Sequence, residues 1–118
     1  MEIEKRVVHC KRERFDIYIG RPNRGMPGSK WANPFHIGRD GDRAEVITKY
    51  ARWIVTQKHL MDSLHELRGK ILGCWCDPQA CHGHFLMYLA GGFDIDTALR
   101  LVLERIPPPA KPAQAVLF

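Results

Sequence analysis

The sequence predicts a small single-domain α/β fold, its sheet at least partly parallel and flanked by helices. Three observations carry that expectation. Short β-rich runs occur near residues 7–10, 16–20 and 70–76, each bounded by charged or turn residues. Two stretches of helical periodicity separate the second run from the third, enough chain for a crossover joining parallel strands. The third run leads directly into an apolar helical segment, the strand–helix unit of α/β proteins.

Val7-Val8-His9-Cys10 and Asp16-Ile17-Tyr18-Ile19-Gly20 read as two strands, expected to be neighbours, with the charged segment Lys11 to Arg14 between them. From Arg21 to Asp42 turn chemistry dominates: Pro22, Gly25, Pro27, Gly28, Pro34, Gly38 and Gly41. A loop of about twenty residues inside a compact domain is usually functional or disordered. Trp31 and Phe35 argue that this one is anchored on the core. Asp42 and Glu45 are spaced as a capping box, and Val46, Ile47, Tyr50, Ala51, Ile54 and Val55 form an apolar stripe through about Gln57. Leu60, Leu64 and Leu67 predict a shorter second helix ending at Gly69.

Lys70 to Cys76 reads as a short buried strand, closed by Asp77-Pro78. A helix with the body His84 to Ala90 follows, stopped by Gly91-Gly92. The last helix starts near Asp96-Thr97, buries Leu99, Val102, Leu103 and Ile106, and ends at Pro107-Pro108-Pro109. The expected organisation is a compact α/β domain over residues 1–106, then a proline-rich linker and peptide over residues 107–118.

The 118 residues are 45% hydrophobic and 26% charged, the balance of one globular domain. No apolar run approaches the roughly 20 residues that span a bilayer, and the start of the chain resembles no signal peptide. A cytoplasmic protein without a membrane partner is expected. In a reducing compartment four cysteines suggest metal binding or reactive thiols rather than disulfides. The formal net charge is +5, and eight Lys/Arg against two acids between Lys5 and Lys30 account for the whole surplus. Such asymmetry fits a nucleotide or nucleic-acid partner, and equally a solvated basic face.

Chemistry-bearing residues concentrate in Cys74-Trp75-Cys76-Asp77-Pro78-Gln79-Ala80-Cys81-His82-Gly83-His84. The carboxyl end of a strand where a helix begins is where open α/β sheets bind ligands. Cys74 and Cys76 share one face of the strand, and Trp75 takes the other. Three readings stand side by side. Cys74, Cys76 and Cys81 with His82 or His84 could bind Zn²⁺, since thiolates plus imidazole suit tetrahedral zinc. Alternatively Cys81, at a helix N-terminus, is a reactive thiolate with His82 or His84 as its base or charge partner. In the third reading the cysteines are small buried hydrophobes.

A second constellation is Tyr18-Ile19-Gly20-Arg21-Pro22 with Gly28-Ser29-Lys30-Trp31-Ala32-Asn33-Pro34-Phe35. Arg21, Ser29 and Lys30 could take phosphate, with Trp31 and Asn33 positioning a base. The competing reading has Trp31 and Phe35 pinning the loop while Ser29 and Asn33 cap its turns.

Beyond the prolines the chain presents Gln114-Ala115-Val116-Leu117-Phe118. This pentapeptide resembles the Q-x-x-L-F peptides by which bacterial replication and repair proteins dock on the DNA polymerase sliding clamp. By that resemblance Gln114, Leu117 and Phe118 would be the anchors, against a reading in which the tail folds back on its own domain.

Taken together, Tyr18-Ile19-Gly20-Arg21, Gly28 to Phe35, the Tyr50…Trp53 helix and Leu72-Gly73-Cys74-Trp75-Cys76…Pro78…Cys81-His82-Gly83 resemble domain-of-unknown-function family 4326, small bacterial and phage proteins. That family usually carries Asp after C-H-G, where this chain has His84, which shifts any metal-ligand or base role towards His82. The resemblance implies no established activity, but it does imply that the loop and the cysteine cluster form one site. The expected function is therefore a nucleotide- or nucleic-acid-associated role in DNA metabolism, with Cys81 and His82 at the chemistry and clamp docking through the tail. The alternative is a non-enzymatic adaptor or inhibitor with a structural zinc or none.

Overall fold

A computed structural model describes residues 6–108. Its elements run β1 (Val7–His9), β2 (Ile17–Tyr18), α1 (Arg43–Ile54), α2 (Lys58–Met61), β3 (Leu72–Cys74), α3 (His82–Ala90) and α4 (Ile95–Leu103). The three strands form a wholly parallel sheet in the order β1-β3-β2, with Leu72 facing both Val7 and Ile17. The small α/β domain expected from the sequence is what forms.

One expectation is overturned. The first two strands are not neighbours, because β3 lies between them. Parallel strands cannot be joined by a tight turn. Residues 10–16 must therefore run back from the carboxyl end of β3 to its amino end, where Asp16 N–H and Ile17 N–H both donate to Ile71 O. Gly73 makes room for that return, since a Cβ there would lie 2.6 Å from the Phe15 ring. The β1–β2 connection thus crosses the sheet face opposite the helices without a helix of its own.

On the helical face Val7, Ile19, Leu72 and Cys74 join Ile47, Tyr50, Ile54, Phe85 and Leu86 in one core. The stripe predicted for α1 is the buried one: Val46, Ile47, Tyr50, Ala51 and Ile54. Its capping box forms as the spacing requires, Asp42 accepting from Glu45 N–H and Glu45 from Asp42 N–H, both at 2.8 Å. The second predicted helix is instead the single turn α2 followed by a 3₁₀ turn at Leu64–Leu67. Leu60 and Leu67 are still buried, so the apolar spacing marked the buried side although the helix breaks between them. Asp94 caps α4, two residues before the predicted start, by accepting from Thr97 N–H at 2.7 Å.

The long loop is tied to α1. Tyr50, fully buried, donates its hydroxyl proton to Trp31 O at 2.7 Å. Asn33 Nδ2 donates to Val46 O, and Asn33 Oδ1 accepts from Phe35 N–H. Gly73→Ala should push Phe15 off the sheet and cost about 1–3 kcal/mol, as overpacking does. Urea denaturation should read this as a lower midpoint with an unchanged slope.

Candidate functional site

Because the sheet is parallel, β1, β2 and β3 all end at the same edge, and the chain segments leaving them converge there. A pocket of about 320 Å³ opens at that edge. Its floor is Cys74, Cys76, Cys81 and His82; its walls include Arg21, Asn33, Phe35, Arg43 and Trp75. The loop and the cysteine segment therefore do share one cavity.

The sulfurs form a contact cluster. Cys74 Sγ and Cys81 Sγ are 3.4 Å apart and both residues are buried. Cys76, half-buried, lines the same cavity as Cys74, Cys81 and Arg43, and hydrogen bonding with all three lowers its thiol pKa. The bond from Cys74, then that from Cys81, holds the Cys76 thiol far below the usual range against the opposing effect of burial; the hydrogen bond and charge of Arg43 act in the same sense. Cys74, as the donor, is pushed up to about 11. Cys81 is raised well above its ordinary value by its bonds to Cys74 and Cys76 and by burial. Of the three thiols, Cys76 is the one whose surroundings favour loss of the proton.

Arg43 is half-buried and braced: Nη1 donates to Ala80 O at 2.9 Å and Nη2 to Gln79 Oε1 at 2.8 Å. The sequence reading missed it, although a signal was present. Arg43 is the first residue of α1, where a cation opposes the helix dipole, so its placement calls for another partner. Trp75 was assigned to the far side of the strand. Its indole N–H donates to Tyr18 Oη at 2.7 Å, and its ring still borders the pocket.

His82 is buried and neutral. Its Nε2 donates to Ile19 O at 2.8 Å, its ring meets Tyr50 edge-on at 4.9 Å, and burial lowers its pKa. The bonded nitrogen thus faces the end of β2 rather than a thiol. His84 completes a capping box for α3: its Nδ1 accepts from Cys81 N–H at 3.1 Å while Cys81 Sγ accepts from Gly83 N–H at 3.2 Å. Any acceptor serves at that position. Of the set Cys74, Cys76, Cys81 with His82 or His84 that could bind zinc, the three cysteines and His82 line one cavity, while His82 Nε2 is bonded to Ile19 O and His84 Nδ1 accepts from Cys81 N–H. Among the described residues no group of three or more His, Cys, Asp or Glu side chains is arranged to hold a metal ion.

Of the five loop residues expected to bind ligand, the pocket takes in Arg21 and Asn33; Ser29, Lys30 and Trp31 lie outside its lining. Arg21 is exposed, and its Nη1 donates to Asn33 O at 2.9 Å. Trp31 is buried in the core. Ser29 Oγ accepts from Trp31 N–H, and Lys30 pairs with Glu66 at 3.0 Å. His36, at the pocket wall, has its pKa lowered first by Arg21, then by slight desolvation and by Arg39. Arg21 and Arg39 thus outweigh Asp40 at His36. Gln114, Leu117 and Phe118 lie outside the described residues.

Residues 4–92, about three quarters of the chain, match the family model described as domain of unknown function (DUF4326). The chain belongs to this family. An uncharacterized protein of Acanthamoeba polyphaga mimivirus is 39% identical over 97 residues, covering 70% of this chain and 74% of the relative. An uncharacterized 12.4 kDa protein from the nrdA-td intergenic region of Enterobacteria phage T4 is 30% identical over 89 residues, covering 71% of this chain and 75% of that protein. No solved structure matches. The family match spans every element that lines the pocket and stops before α4. No helix among the described residues is long and apolar enough to cross a membrane.

His84 generates a pH prediction. Its folded pKa is lowered to about 4, chiefly by burial and then by Arg105, so the unfolded chain binds more protons between that value and the ordinary 6.5. Stability should therefore fall as pH drops through this window, by roughly 3 kcal/mol at most from this group. His84→Asn keeps an acceptor for Cys81 N–H without the titration. Urea midpoints between pH 7 and pH 4 should fall less steeply for the variant than for the parent.

Proposed function

We propose that the pocket binds a nucleotide, free or at the end of a nucleic-acid strand, and holds it beside the cysteine cluster. The carrying observation is that Arg21 and Arg43 share one cavity with the half-buried rings of Phe35 and Trp75 and with Cys76. Two guanidiniums suit a phosphate, and two aromatic edges suit a planar base. The volume of about 320 Å³ falls in the range of small-molecule sites. The lowered pKa of His36 supports an anionic occupant, because the same cations that repel its proton would attract phosphate. In this reading Cys76, rather than Cys81, is the sulfur presented to the ligand, and His82 acts as a positioning residue for the end of β2. Any transfer or hydrolysis at the bound nucleotide would have Cys76 as its nucleophile.

Calorimetric titration with nucleoside monophosphates, triphosphates and a short single-stranded oligonucleotide tests the reading. Saturable binding that weakens with salt is expected, and Arg21→Gln should weaken it by roughly tenfold, the loss of one charge-assisted contact. Absence of saturable binding for every phosphate compound up to millimolar concentration would sink the proposal.

We further propose that the terminal peptide docks on a DNA polymerase sliding clamp, which would place the protein in DNA metabolism. Support comes from the spacing of Gln114, Leu117 and Phe118 and from their position in the sequence behind a proline-rich stretch. On an immobilised clamp the full chain should be retained and a chain lacking residues 114–118 should elute early. Equal retention of the two would refute clamp docking while leaving the pocket proposal untouched.

A further inference from the structure

We propose that Cys74, Cys76 and Cys81 form a hydroperoxide-reactive thiol site in which Cys76 is oxidised first and a buried Cys74–Cys81 disulfide is the stable product. The proposal concerns the sulfurs alone and does not depend on a nucleotide occupying the pocket.

Geometry carries it. Of the three sulfurs, Cys76 belongs to the residue that is not fully buried, and all three line the cavity through which a small oxidant would arrive. Cys76 lines one cavity with both other cysteines and with Arg43. Cys74 Sγ and Cys81 Sγ, at 3.4 Å, need only a small approach to reach the bonded separation of about 2.05 Å. Residues 74 and 81 lie on different elements, β3 and the cap of α3, so neither side chain is held apart by strand alternation. The thiolate character of Cys76 adds to the geometry, since the thiolate is the form that attacks.

The steps balance. The Cys76 thiolate attacks the terminal oxygen of a hydroperoxide, an S–O bond forms, the O–O bond breaks, and the alkoxide or hydroxide leaves and takes a proton. Cys76 is then a sulfenic acid. The Cys81 sulfur attacks Cys76, expels hydroxide, and its thiol proton completes a water molecule. Cys74 then attacks Cys81 across the 3.4 Å gap, returns Cys76 as a thiolate and gives up its own proton. In sum two thiols lose two electrons, and the hydroperoxide becomes an alcohol (or water) and water.

The product would bolt β3 to the start of α3 directly beneath the pocket, so its shape would depend on the oxidation state. Cys10, half-buried at the end of β1 and raised in pKa by burial, serves as the internal control.

The experiment uses the full reduced chain, dialysed against a chelator, with stoichiometric hydrogen peroxide as the probe. Lys70 to Arg100 contains no internal Lys or Arg, so the sulfurs must be separated by cleavage at Trp75 and Asp77 before mass spectrometry. The expected result is a loss of two hydrogens per chain, a Cys74–Cys81 link, a free Cys10, and full reversal by a dithiol. Cys76→Ala should slow oxidation by roughly tenfold or more, since it removes the accessible thiolate. Cys10→Ala should leave the rate unchanged. Should Cys76→Ala fail to fold, the wild-type chain quenched early with a sulfenic-acid-trapping diketone supplies the same answer, with the label expected on Cys76. First labelling at Cys10, Cys74 or Cys81 would overturn the proposal. So would oxidation of Cys76→Ala at the parent rate. A tightly held zinc ion, about one per chain, that shields the thiols from peroxide would overturn it as well.

Discussion

Everything at the site follows from β3 lying between two parallel partners. Three strands of two or three residues are too short to persist on their own, and the sheet exists because helices bury one face. With all three strands pointing the same way, their carboxyl ends open together. Trp75 and Cys76 leave β3, Gly20 and Arg21 follow β2, and the α3 cap returns beside them. An antiparallel arrangement would have sent the arginine and the cysteines to opposite edges. Gly73 is what permits the parallel one, because the return of the chain from β1 to β2 needs the space a side chain would fill.

The loop between Arg21 and Asp42 shows how a long irregular segment becomes a wall. Two of its carbonyls are claimed by side chains: Trp31 O by Tyr50 of α1, Asn33 O by Arg21. A buried carbonyl left without a donor costs a few kcal/mol, so each of these bonds fixes loop position as well as contributing stability. Trp31 is the anchor that makes this possible, and Asn33 uses both ends of its amide to hold the loop to α1. Residues that read as a ligand kit in one dimension are here divided: some are spent on building the wall, and Arg21 is exposed on it.

That division marks the limit of what was legible in the sequence. Local patterns carried well: the α1 stripe, the Asp42–Glu45 capping box and the apolar run of β3 all depend on residues close in the chain. Strand order did not, because pairing β1 with β3 joins residues more than sixty positions apart and nothing local encodes it. The choice among the cysteines was equally hidden. A helix N-terminus favours a thiolate at Cys81 in general. Here that sulfur is buried and its pKa is raised, while Arg43 arrives from a helix thirty-odd residues earlier to lower that of Cys76. Arg43 was visible only as an oddity, a cation where the dipole disfavours one.

A thiolate removed from bulk water requires compensation, and what lowers the Cys76 pKa is of two kinds. The lowering by Cys74 and Cys81 is internal to the cluster. The Arg43 contact is not, because Arg43 also lines the cavity wall. On the proposed reading, a phosphate entering the pocket and the Cys76 sulfur would draw on the same guanidinium. Two anions beside one cation each weaken the hold on the other, so phosphate occupancy would raise the Cys76 pKa and a protonated Cys76 would favour phosphate. The brace of Arg43 on the Ala80 carbonyl and the Gln79 side-chain Oε1 keeps the guanidinium in place while this competition runs. Ligand binding and sulfur reactivity at this edge of the sheet are then two readouts of one shared charge.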